Sequence, residues 1–506
     1  MNCYIHERIK FSASRILLLN INNKNFSLMD QQLKNWIAEE KIPKVIVHSS
    51  LPMITAILAL FAYDLLESSL LAFNGEDVLT ALGFTLPITT AVTAIAIGLS
   101  IITNNKIVKV SCLHGHQLSN AISSSLLQAT FFIALFSLLF CFFNEAIFSF
   151  LGSRTWASGH IGDPKIVLAN SQMLYVESRY FTWIFLAIIW QVSAIFRALG
   201  NSKIASRLML SWLLSKSVIA IALLMPESGL YISGLEGLAW THGIVDVLFA
   251  CISLFILHKK VHLTIPKLAE IKGGLLSNKI NSITIVSQQL VAPISMAILT
   301  TIVAEINYSY VAAFAFIFRM ESIFLLIPMV LTTTMPCIVG TNFWLGHVSR
   351  VRQAYLFAFG LVILLQLALA VALVINNNML SYFICPEGAV AELLTIYLTW
   401  VPFGYIGAGL VIVYQSCLNA EGKPWQALSL GVIHRIILLL PCTFIGAVFL
   451  TDVSLFQALM LGHLAGGIYV VYVFYRRNKL AKVTSINRQM NNHLSHQQSS
   501  TLGEQS

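Results

Sequence analysis

Residues 353–375 read QAYLFAFGLVILLQLALAVALVI, an apolar run without a charge or a proline. Coiled as a helix, such a run is about 34 Å long, enough to cross the hydrocarbon core of a bilayer. It has company. Stretches near 45–66, 79–103, 121–150, 172–198, 205–225, 235–258, 280–303, 310–338, 392–417, 425–448 and 456–475 share its character, so twelve spans are expected. Long unbroken apolar runs exclude a membrane β-barrel, whose strands would be short and alternating. Only 10% of the 506 residues are charged and 57% are hydrophobic, with a mean hydropathy of +0.78. A soluble domain carries about 25% charge, so this chain cannot coat a globule with polar groups.

The basic residues give the orientation. Lys106 and Lys109, Lys203 and Arg207, Lys259 to Lys279, Arg350 and Arg352, and Lys423 fall in alternate connections, on the same side as both termini. The opposite connections hold Arg154 and Lys165. By the positive-inside rule both termini are cytoplasmic, which places the chain as a multi-pass protein of the cytoplasmic (inner) membrane. The net charge of +9 therefore reports topology, and nucleic acid is not an expected partner. The eight cysteines lack CxxC pairing and metal-ligand spacing, so neither a disulfide framework nor a metal site is expected.

The two halves match at corresponding points. LTALGF (79–84) matches VAAFAF (311–316), LHGH (113–116) matches WLGH (344–347), and FRALGNSK (196–203) matches CLNAEGKP (417–424). The fold expected is an all-α integral membrane protein of twelve transmembrane helices in two six-helix lobes related by an internal repeat. Its parts would be a cytoplasmic N-terminal segment (1–43), an N-terminal lobe (44–258), a basic linker (259–279), a C-terminal lobe (280–476) and a disordered polar tail (477–506).

Several of these motifs resemble the multidrug and toxin extrusion (MATE) family. ESSLLAFNGEDVLTALGFTLPI (67–88) is similar to its first signature. FRALGNSK and YQSCLNAEGKP (414–424) are similar to its paired turns, and AFIFRMESIFLLIP (315–328) to its eighth span. The resemblance spans roughly 45–475. It implies a cation-coupled exporter of amphipathic organic compounds, driven by H+ or Na+, working as a monomer with lipid around it and no cofactor. It also implies that Glu67 stands where the family carries its first-span aspartate, and that Lys216 and Ala220 replace the family's Asn and Asp on the fifth span.

The remaining candidates come from the cost of charge in a bilayer, at least about 2.5–3.5 kcal/mol per group. Asp64, three residues before Glu67, is expected to share its helix face, and Lys216 is expected to counter-charge these two acids. His242 and Asp246, an i, i+4 pair, suit a proton relay, with Thr241 beside them. Glu177 and Arg179 read as an outer-mouth salt bridge. Arg319 with Glu321, and His434 with Arg435, read as structural pairs. No Asp or Glu occurs from 280 to 304 or from 393 to 420, so coupling is expected in the N-terminal lobe. Tyr63, Tyr175, Trp183, Gln288 and Gln289 are candidates for lining a substrate cavity. The competing readings are a flippase or exporter of a lipid-linked or polysaccharide precursor, which would need an Arg- and Lys-rich cavity, and an integral-membrane enzyme. HExxH, GxSxG and P-loop patterns are absent, so no catalytic residues are assigned.

Overall fold

A computed structural model describes residues 35–73, 76–113, 117–144, 164–232, 234–261, 279–306, 317, 320–384, 389–448 and 452–503. Twelve main helices follow in order. The N-terminal six are α1 (Ile42–Phe73), α2 (Glu76–Leu113), α3 (Leu118–Phe142), α4 (Pro164–Ala198), α5 (Ser202–Leu224) and α6 (Gly234–Val261). The C-terminal six are α7 (Lys279–Ile306), α8 (Leu326–Trp344), α9 (Val348–Ile375), α10 (Ala389–Ala420), α11 and α12 (Asp452–Gly503). Helix α11 comes in three continuous segments, Pro424–Val432, a π-helical turn Ile433–Leu439, and Leu440–Val448.

Among the described residues, eleven helices are long and apolar enough to cross a membrane, and α7, with 28 residues, brings the main helices to twelve. Helix is the only open-ended structure that satisfies its own backbone in lipid. The outward faces carry large apolar side chains such as Leu51, Phe131, Phe181, Val218 and Leu364, each more than half exposed, as a lipid-facing surface requires. Helix α12 runs on to Gly503 and so takes in most of the segment expected to be a disordered tail. Backbone bonding within a helix needs no tertiary partner, so polar composition alone does not end it. Residues 262–278, most of the expected linker, lie outside the described residues.

The helix pairings repeat. Helix α4 packs on α6 as α10 packs on α12; α1 pairs with α5 as α7 pairs with α11; α2 pairs with α4 as α8 pairs with α10. The lobes meet through α1 against α8 and α2 against α7, again a symmetric exchange. The turns match as well. Gly200 and Gly422 have φ of 79° and 75°, and each ends its helix with the same pair of backbone bonds. Gly200 N donates to Arg197 O and Asn201 N to Phe196 O. Gly422 N donates to Asn419 O and Lys423 N to Leu418 O. This is a helix stop that needs a left-handed residue, so glycine stands at both places.

Contacts between lobes concentrate at the end that carries the chain's entry into α1. The Ser50 and Thr334 hydroxyls are 2.9 Å apart, and Cys337 Sγ lies 3.5 Å from Ala198 O. Lys109 Nζ sits 4.6 Å above the Trp344 ring. Arg350 donates to Glu40 O at 2.6 Å and to Ile37 O at 3.0 Å, tying the residues before α1 to the C-terminal lobe. Near the same end Glu421 is fully buried, 2.8 Å from Lys423 Nζ, in contact with Arg477, and accepts from Tyr355 Oη at 2.6 Å.

Candidate functional site

Asp246 on α6 is the centre of a buried cluster in the N-terminal lobe. Trp212 Nε1 donates to its Oδ1 at 2.9 Å, and Lys216 Nζ lies 3.2 Å from the same oxygen. Arg179 reaches the other oxygen from α4 at 3.6 Å, and His242, one turn earlier on α6, lies 3.7 Å from it. Glu67 on α1 closes the group, 3.6 Å from His242 Nε2. Helical spacing explains the convergence. Trp212 and Lys216 stand four apart on α5, as His242 and Asp246 do on α6, so each pair presents one face to the groove between the helices. Residues 175, 179 and 183 on α4 keep the same four-residue step.

Aromatic rings wall the cluster. Lys216 Nζ lies 4.8 Å from the Trp212 ring centre and 5.4 Å from that of Tyr63. Arg179 lies 6.0 Å from Trp183, and the Tyr63 and Tyr175 rings approach His242 at 6.5 and 6.2 Å. Cations over aromatic faces gain about 2 kcal/mol when dehydrated, which helps hold two basic groups out of water. The Arg179 Nε, Trp183 Nε1 and Tyr63 Oη atoms are buried without a hydrogen-bond partner among the described residues. The site is therefore rich in unused donors.

This arrangement corrects two expectations. The partner of Lys216 is Asp246 and not Asp64, which is exposed on α1. A three-residue step turns the helix by about 60° short of a full turn, and of the two acids it is Glu67 that reaches His242. Arg179 points inward to Asp246, while Glu177 is exposed. The four-residue step from Tyr175 through Arg179 to Trp183 is the signal that could have placed it. Of the other candidates, Thr241 is buried but spends its hydroxyl on Gly237 O, 2.9 Å away. Gln288 accepts from Asn419 at 2.9 Å in the other lobe, and Gln289 is half-buried on α7. Tyr63, Tyr175 and Trp183 belong to the cluster, whereas Gln288 and Gln289 do not share it. Arg319 lies outside the described residues.

Comparison with known proteins agrees with this architecture. The MatE family model matches residues 284–445. The FAD transporter of Shewanella oneidensis is 23% identical over 456 residues, covering 89% of this chain and 98% of that protein. The chain resembles the MATE family over residues 284–445. A crystal structure of a mutant of the Vibrio cholerae MATE transporter VcmN superposes with a TM-score of 0.78 at 20% identity, over 89% of this chain and 98% of that one. The probable multidrug resistance protein YpnP of Bacillus subtilis is 25% identical over 276 residues, 53% of this chain and 60% of that protein. The fold is that of the MATE transporters. The buried charges of α1, α4, α5 and α6 lie in the first of the two six-helix lobes.

Proposed function

We propose that the protein is a proton-driven antiporter of the cytoplasmic membrane that exports amphipathic organic compounds by alternating access between its lobes. One observation carries the choice of ion: an ammonium stands 3.2 Å from Asp246, on the carboxylate a metal ion would need. A proton can be exchanged at Glu67 and His242 without displacing Lys216, while Na+ would have to compete with a fixed charge. Alternating access then works as follows. With Glu67 ionised, it faces His242 and holds α1 against α6. A proton arriving from outside neutralises Glu67, loosens that contact and frees α1, whose Pro52 removes one backbone bond and marks a place to bend. Substrate leaves, and release of the proton inward resets the lobe. The test is export of ethidium from proteoliposomes of the purified protein, with an imposed pH gradient or an imposed Na+ gradient alone. Export with Na+ alone, and none with the pH gradient, would overturn the ion assignment.

A second substrate reading is a flavin dinucleotide. Arg179 and Lys216 bring two fixed cations to the site, and unused donors face it, which suits an acceptor-rich aromatic anion. The relative from Shewanella oneidensis named an FAD transporter supports this reading. Competition of FAD with ethidium in the same vesicles separates the two.

A further inference from the structure

Ahead of α1 the chain forms one more short piece of helix, and the C-terminal lobe holds it. Residues 35–39 are helical, the chain turns at Glu40 and Lys41, and α1 begins at Ile42. The last bond of the short helix runs from Glu40 N to Trp36 O at 3.0 Å. Lys41 N would continue it by bonding Ile37 O, but donates to the Glu40 side chain at 3.1 Å instead. The break leaves carbonyls without a helical partner, as helix ends do. Arg350, the third residue of α9, takes two of them. One terminal nitrogen donates to Ile37 O at 3.0 Å and to Glu40 O at 2.6 Å. Nε of the same guanidinium donates to Asn342 Oδ1 at 3.0 Å. Asn342 is fully buried on α8, and its own amide donates to Ile338 O, which fixes that acceptor in place.

On its other side the short helix belongs to the first lobe. It leads directly into α1, which packs along α5, and the Trp36 ring meets His48 edge-on at 5.3 Å. Ile37 is 3% exposed, so the piece is seated and not loose. A cation at a helix C-terminus is also favoured by the helix dipole. The contact therefore runs across the join between the lobes, at the end where Ser50 meets Thr334 and Lys109 covers Trp344. The internal repeat does not supply it. LHGH and WLGH stand 231 residues apart, an offset that carries Arg350 back to Ser119 and Asn342 back to Ser111. A serine has one donor and cannot span two carbonyls as a guanidinium does. The short helix also precedes residue 45, where the resemblance to the MATE family begins.

We propose that residues 35–40 are a strap across the two lobes and that Arg350 is its catch, setting how readily this end of the protein opens. The proposal rests on the alternating-access reading above. For the lobes to part here, α1 must leave α8 and carry the strap with it, so both carbonyl bonds must break. Water then offers the guanidinium and the carbonyls other partners. The catch is worth only the difference, about that of one charge-assisted hydrogen bond. That is enough to bias the equilibrium and little enough to release in every cycle. Lysine would keep the charge and lose the fork.

The test measures the separation of the lobes by pulsed electron paramagnetic resonance, on full-length protein in lipid nanodiscs, without substrate or gradient. Spin-labelled unnatural residues replace Lys203 and Gln426, which are exposed just past the matching turns at Gly200 and Gly422. The parent should show mainly the short separation. Arg350→Ala should raise the ratio of long to short separations about tenfold, and Arg350→Lys should fall between. Ile37→Asp would bury a charge in the seated strap, so it should unseat the strap from the other side and give a similar shift. Combining Arg350→Ala with Ile37→Asp should give no more than the larger single effect, because both undo one contact. Distributions that coincide with the parent's, or two shifts that multiply, would overturn the strap. Should Arg350→Ala fail to fold, Ile37→Asp and Arg350→Lys carry the test, and no shift in either overturns it equally. No ion gradient or substrate enters the measurement, so a failed ethidium assay leaves its result standing, and a failed strap leaves the export reading untouched.

Discussion

Lys216 Nζ lies 3.2 Å from Asp246 Oδ1, with side chains 3% and 0% exposed, in a helix pair that crosses the membrane. A buried pair of this kind is weak evidence of net stability, since both charges gave up water to form it. Its consequence is directional: losing one partner leaves the other charge stranded. Lys216→Ala and Asp246→Asn should each destabilise by about 3–5 kcal/mol. The double variant should lose clearly less than the sum of the two. Thermal unfolding in detergent, arranged as a double-mutant cycle, gives the coupling. Simple additivity would mean that the pair does not exist in solution.

Glu67 is expected to carry the transported proton. Glu67→Gln keeps the size of the side chain and removes its titration. The variant should insert and unfold like the parent, while pH-driven ethidium export falls about tenfold or more. Asp64→Asn, outside the cluster, should leave export near the parent rate. An equal loss in both would return Asp64 to the mechanism.

The cluster around Glu421 makes a separate prediction about stability. Glu421 is fully buried, while Lys423 and Arg477 are about a third exposed. Glu421→Gln should therefore cost about 2–3 kcal/mol, the lower part of the range for a broken buried pair, because water already screens its partners. Tyr355→Phe removes one neutral donor to the same carboxylate and should cost about 1–2 kcal/mol. Melting temperatures at low and high salt check both, with the Glu421 effect the more salt-dependent.

Gly200 and Gly422 should respond alike. Alanine at either, held at φ near 75–79°, costs about 1–2 kcal/mol from left-handed strain. Open space beside Gly422, whose nearest neighbour would be the Trp344 ring at 3.6 Å, keeps the cost to the backbone there. A neutral result at both positions would mean the two turns relax out of this geometry.

Much of this molecule is legible in its sequence. Spans such as 353–375 need only length and apolarity to read as helices, because a bilayer leaves the backbone no other solution. The repeat is visible from Gly200 and Gly422, since a left-handed helix stop tolerates little else. Among the site residues, Glu67, Lys216, His242 and Asp246 stand out because charge in an apolar run is costly enough to need a reason.

Tertiary structure decided the partners. Asp64 and Glu67 differ by about 60° of helix rotation, and only packing against α5 and α6 selects Glu67. Arg179 reads as a mouth residue until α4 is laid on α6 and its guanidinium meets Asp246. His434 and His463 are 29 residues apart on two helices, with no spacing rule to join them. A helix's own period says which residues share its face. Which face meets which neighbour depends on how twelve helices pack, and in lipid that is settled by close fit and a few polar contacts, because apolarity alone does not distinguish one helix from another.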